Sequence, residues 1–147
     1  MAAHAGVVSA MRKTVETLVP ESLAPPGGHY SHAARFGDLV FTAGQLGMRP
    51  DGLHTCELGF EDQARQALAN MLAAVRAAGA DSSEILKVTA YIVGVENWPR
   101  FNAVFAEVMG TARPARSVVP VPELHYGYLI EVEAIAVRGA ALAESRS

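Results

Sequence analysis

The sequence predicts an α+β fold, a mixed sheet of strands with two helices on one face. Three observations carry this expectation. Short apolar runs flank Gly37-Asp38, an apolar stripe at helical spacing runs from Phe60 to Ala78, and β-branched runs stand on either side of a second helical segment. At 147 residues the chain has the length of one domain with its own core. Residues 1–12 read as a flexible N-terminal extension, 13–139 as the folded domain and 140–147 as a flexible tail.

Lys13 to Val19 alternates loosely and reads as a short first strand, ended by the turn-rich Pro20 to Gly28. Ser31 to Phe36 and Leu39 to Gln45 read as a hairpin, because glycine supplies the positive φ that a two-residue turn needs. Met48 to Gly52 is another turn. In the first helix Phe60, Ala64, Ala67, Leu68, Met71, Leu72 and Val75 form one stripe, with Gly79 as its stop. Ile85 to Val95 reads as a long strand, in which Leu86, Val88, Ala90 and Ile92 share a face. Asn97 is placed to cap a second helix with Pro99 in its first turn, running to about Met109. Arg116 to Val121 and Leu129 to Val137 are the last strands.

Composition narrows the function. Hydrophobic residues make up 50% of the chain, which fits a packed core rather than disorder. A net charge of −3 with no basic block beyond Arg12-Lys13 argues against nucleic-acid binding. No apolar run approaches the roughly 20 residues of a membrane helix, and the first residues lack the pattern of a signal peptide. One cysteine, Cys56, suits a reducing cytoplasm and reads as a loop thiol. His29 and His32 lie in a turn-to-strand segment, and His4, His54 and His125 are scattered, so no metal-site spacing is present.

The predicted strands are apolar on both faces. Ile130, Val132, Ala134 and Ala136 point one way, while Glu131, Glu133, Ile135 and Val137 point the other. Two helices cover one face only, so a homo-oligomer is expected to bury the second. Within this apolar frame stand Arg116, in Arg113-Pro114-Ala115-Arg116-Ser117, and Glu131. Charges in strands are costly unless paired or bound to a ligand, which makes these two the first candidates for a site.

The chain resembles the reactive-intermediate deaminase family, also called RidA or YjgF-like, from about Thr14 to Gly139. The resemblance rests on an ordered set of segments: Gly28-His29-Tyr30-Ser31, Leu39 to Gln45, Lys87-Val88-Thr89, Phe101 to Phe105, Arg113 to Ser117 and Glu131 to Ala136. It implies a chorismate-mutase-like homotrimer with a ligand cleft between neighbouring subunits. It also implies cofactor-independent hydrolysis of reactive enamines and imines, such as 2-aminoacrylate, to 2-keto acids and ammonia.

Carried over by residue, the resemblance makes Arg116 the group that binds the substrate carboxylate. Arginine suits this because its planar guanidinium meets a carboxylate through two parallel charge-assisted hydrogen bonds. Glu131 becomes the group that positions and activates water, with Glu133 on the same strand face as the residue most easily confused with it. Tyr30 stands at the cleft, with core filling as the alternative. Gly44 and Ala43 bring backbone close to the ligand, and Val118 follows the arginine where some members carry cysteine. Asn102 is a polar pocket residue, or else a helix cap or interface group. No His/Asp arrangement accompanies Ser117.

His29, Ala43, Val118 and the turn His125-Tyr126-Gly127-Tyr128 depart from the family habit. Two readings stand for that turn: an aromatic rim that accepts a larger or ring-bearing substrate, or rings packed between subunits. Three functions remain in competition. They are an enamine/imine deaminase, general or dedicated to one pathway; a non-catalytic ligand-binding or chaperone-like trimer; and a ribonuclease, against which the acidic balance weighs.

Overall fold

The computed structural model describes residues 13–140, so the expected extension at residues 1–12 and all but the first residue of the expected tail lie outside it. Its strands and α-helices run in the order β1 (Val15–Leu18), β2 (Ala33–Phe36), β3 (Leu39–Thr42), α1 (Phe60–Ala77), β4 (Ile85–Val93), α2 (Trp98–Met109), β5 (Ala115–Val121) and β6 (Ile130–Val137). The strands form one mixed sheet in the order β1-β2-β3-β6-β4-β5. Only the β4–β5 pair is parallel, joined by the crossover through α2. From β3 through α1 to β4 the chain steps past the slot that β6 fills. Both crossovers step the same way, and crossovers of one hand stepping one way put their helices on one face. The result is the expected α+β layer.

Local chemistry sets each element. Gly37 takes φ +60° in the β2–β3 hairpin, while Asp38 keeps negative φ, the pattern of a two-residue turn with glycine first. Every residue of the predicted α1 stripe is buried. The helix ends at Gly79 (φ +95°), with Ala80 N donating to Val75 O at 3.1 Å and Gly79 N to Arg76 O at 3.0 Å, a Schellman stop.

Two expectations need correction. The register of β4 shifts between Ile85 and Lys87, so Ile85 turns into the core and Leu86 turns outward, 48% exposed, away from the face of Val88. Asn97 does not cap α2: it has helical φ and ψ at the end of a short 3-10 turn, and its amide donates to Val93 O instead (2.9 Å). The chain already enters α2 helical, which leaves no extended residue to act as the cap.

On the helix side Val40, Val88, Ala90, Ile92, Ile130, Val132 and Ala136 are buried with Leu68, Met71, Val75 and Phe101. Each large apolar side chain buried there contributes about 1.5–3 kcal/mol. The other face carries Phe36, Leu39 and Phe41, all between 41% and 46% exposed. They share that face with Ile135 and Val137, and with Val119 of the edge strand β5. The open apolar face anticipated from the strand pattern is present. None of the described helices is long and apolar enough to cross a membrane.

Candidate active site

An open cavity of about 450 Å³ lies between the loop before β2, the segment that continues β3, and the turn before β6. Tyr30, Ala43, Gly44 and Glu131, four of the residues singled out in the sequence, line it together. The segment past β3 stays beside β6 through paired bonds, Gln45 N to Val132 O (2.7 Å) and Val132 N to Gln45 O (3.0 Å). This lays Gly44 directly over the Glu131 side chain. A Cβ on Gly44 would stand 2.0 Å from Glu131 Oε1 and 2.9 Å from its carboxyl carbon. The missing side chain is therefore the seat of the carboxylate.

The structure separates the two glutamates of β6. Glu133 accepts a hydrogen bond from the Tyr91 hydroxyl (2.9 Å), which, with burial, raises the tyrosine pKa. Glu131 has no hydrogen-bond or ion-pair partner among the described side chains and points its half-buried carboxyl at the cavity. Burial pushes that carboxyl above the usual glutamate range; a charged His125 pulls it back, and Glu133 pushes it further up. Tyr30 accepts a bond from Gly27 N (3.3 Å), leaving its own proton free to donate.

Arg116 is not in this cavity. Its β5 position pairs with buried Val88, so it lies on the helix side of the sheet, whereas Glu131 pairs with Tyr91 on the opposite side. Its guanidinium lies 4.9 Å from the Phe105 ring centre and 5.6 Å from that of Phe101. Arg116 Nη2 donates to Asn102 Oδ1 at 3.1 Å. Half-buried Arg116 and exposed Asn102 are thus brought together, the arginine without a carboxylate partner among the described residues, and Val118 on the same face packs against the core. Within one chain the two charges of the sequence reading do not meet.

Several supporting residues carried no site signal in the sequence. His32 Nε2 bonds Ala24 O (2.7 Å), which leaves Nδ1 to accept from the Gln45 amide (3.2 Å); both side chains are buried beneath the cavity. Asn70, on the core side of α1, donates to Leu46 O (2.9 Å) and Met48 O (2.7 Å). Gln63 donates to Cys56 O and Leu58 O and accepts from Leu129 N. Polar residues interrupting an apolar helix stripe were the available signal.

The aromatic turn does rim the cavity. His125 and Tyr126 line it, and Tyr126 is the non-glycine residue at positive φ (60°) among the described residues. That conformation costs about 1–2 kcal/mol and persists only where surroundings hold it. Here the His54 ring packs against Tyr126 at a tilt of 43° (4.6 Å between ring centres) and bonds the Tyr128 hydroxyl through Nδ1 (2.9 Å). Among the described residues no group of three His, Cys, Asp or Glu side chains is arranged to hold a metal ion.

Fold and cavity together define a two-layer α+β protein with a cleft of small-molecule size beside its sheet. Residues 21–138 match the family described as endoribonuclease L-PSP. The chain is 37% identical over 123 residues to a RutC family protein of Pyrococcus horikoshii, covering 84% of this chain and 98% of that one. It is also 37% identical over 121 residues to a 2-iminobutanoate/2-iminopropanoate deaminase of Dermatophagoides farinae, covering 82% and 94%. Among solved structures, Escherichia coli TdcF with bound serine superimposes with a TM-score of 0.78 at 32% identity, covering 84% of this chain and 99% of that one. The chain belongs to this family, the RidA or YjgF-like family, whose members include proteins named as imine deaminases.

Proposed function

We propose that this protein hydrolyses reactive enamines and imines bearing a carboxylate to 2-keto acids and ammonia, without a cofactor. The observation that carries the reading is the carboxylate of Glu131, seated over Gly44 and unpartnered at the cavity while Glu133 is tied to Tyr91. An enamine such as 2-aminoacrylate first takes a proton from solvent on its terminal carbon to become the protonated imine. Water then adds to the imine carbon, giving its proton to Glu131. The same carboxyl returns the proton to nitrogen and then takes the hydroxyl proton as the C–N bond breaks, so ammonia leaves, the carbonyl forms and the carboxyl releases that proton to solvent. A carboxyl lifted above its usual range suits both halves of that exchange.

Arg116 binds the substrate carboxylate in this reading, oriented by Asn102 and the two phenylalanine rings. Tyr30 directs its proton at ligand or water, Ala43 and Gly44 supply backbone, and Val118 borders the arginine. Because Arg116 and Glu131 face opposite sides of one sheet, Arg116 of one subunit serves Glu131 of its neighbour. A homotrimer closed through the open apolar face supplies such clefts. The ribonuclease in the family's description fits less well: a cavity with an unpaired glutamate in a chain of net charge −3 repels phosphate.

A serine or threonine dehydratase supplying the short-lived enamine tests this, with 2-keto acid appearance as the readout. Wild type is expected to accelerate it, and Arg116→Ala and Glu131→Gln to lose about tenfold to a hundredfold or more, the worth of one charged contact. No acceleration by wild type, or equal acceleration by Arg116→Ala, overturns the reading.

A further inference from the structure

We propose that the cavity selects imines with a ring-bearing side chain, and that Tyr126 is the residue that selects them. The inference rests on the deaminase reading of the same site and adds the substrate class. One chain's own share of the cleft is a cavity of about 450 Å³, room for on the order of fifteen waters and for more than a two-carbon imine side chain. Apart from His32, Gln45 and Asn70, whose polar groups are bonded to neighbouring protein atoms, the lining away from Glu131 is apolar, with Leu23, Ala24, Pro25, Leu46 and Met48. An acid or imine headgroup gains nothing from such a wall, whereas a flat hydrocarbon ring buries against it.

The rim is built to present an aromatic face. Tyr126 is 60% exposed, yet its backbone is held at φ 60° and its ring is backed by His54 at 4.6 Å and met edge-on by Tyr128 at 6.4 Å. His54 is itself fixed by the hydroxyl of the buried Tyr128, which also accepts from Thr55 N (3.1 Å). Tyr126 also reaches across the opening: its hydroxyl lies 3.5 Å from where a Cβ on Gly27 would stand, and Gly27 N donates to the Tyr30 hydroxyl. The two tyrosines therefore converge on Gly27, one bearing the proposed proton donor and the other an ordered ring. A substrate ring stacked on Tyr126 keeps its imine on the Tyr30 and Glu131 side. Strain, backing and convergence at one exposed ring are the signature of a surface preorganised for a partner.

An amino-acid oxidase can supply the imines of phenylalanine and alanine in turn, with semicarbazide trapping whatever this protein does not hydrolyse. Wild type is expected to favour the phenylalanine-derived imine by about tenfold in kcat/KM, the worth of one aromatic contact. Tyr126→Phe is expected to keep that ratio. Tyr126→Asn, which tolerates the left-handed backbone without a ring, is expected to bring it close to one. A wild-type preference for the alanine-derived imine, or a ratio that survives Tyr126→Asn, overturns the inference while leaving the deaminase reading intact. Calorimetric binding of phenylpyruvate and pyruvate separates the opposite case. Tighter phenylpyruvate binding that Tyr126→Asn abolishes sustains the ring-binding site even if neither imine is turned over, and equal binding of the two acids by wild type overturns it.

Discussion

Gly44 and Glu131 show how one missing side chain can set a reactive group. In Gly44→Ala the new methyl would overlap the Glu131 carboxylate, and the flexible carboxylate must yield. Activity is expected to fall about 100-fold, as a displacement of about 1 Å at a reacting group does. The urea midpoint should stay nearly unchanged, because the displaced group is not a core contact. The raised Glu131 pKa also fixes a sign. If the carboxylate must be ionised to accept water's proton, the acid limb of the kcat/KM profile lies above an ordinary glutamate. Protonated His125 favours the ionised form, so His125→Gln should move that limb to higher pH. Glu133→Gln removes a like charge and should move it lower. Resemblance alone ranked Glu131 ahead of Glu133. The Tyr91 hydroxyl supplies a physical difference between them, and it arises from a cross-strand register invisible in either residue's neighbours.

At the scale of elements, α1 illustrates both the reach and the limit of periodicity. Its stripe, stop and length follow from spacing and from Gly79, since burial of one helix face is a local pattern. The tasks of Gln63 and Asn70 are not local: each meets backbone groups of loops far along the chain, so nothing near them in sequence reports the partner. Asn70→Leu would leave the carbonyls of Leu46 and Met48 without their donor. Equilibrium urea unfolding should show a loss of about 2 kcal/mol or more. Activity at low urea should fall as well, because that loop lines the cavity. The β4 bulge was hidden for a related reason. Ile85 and Leu86 are equally apolar, and only the pairing with β6 decides which of them enters the core.

For the whole molecule, the sheet has one dry face and one unfinished face. Phe41→Glu, on the open side at 45% exposure, should leave the helix-side core intact while opposing assembly. Sedimentation is expected to shift toward the single chain and turnover to fall with it; an unchanged sedimentation coefficient would argue against this face as the contact. The strand alternation made that face legible in the sequence. The placement of Arg116 and Glu131 on opposite sides was not, because it depends on the registers that set Arg116 opposite Val88 and Glu131 opposite Tyr91 across β4. That placement has a genetic consequence. If the proposed cleft lies between subunits, Arg116→Ala and Glu131→Gln chains, each strongly impaired alone, would when refolded together at equal amounts assemble some clefts carrying both native residues. In a randomly mixed ring about one cleft in four qualifies, so two impaired alleles should restore one another to roughly that fraction of wild-type activity.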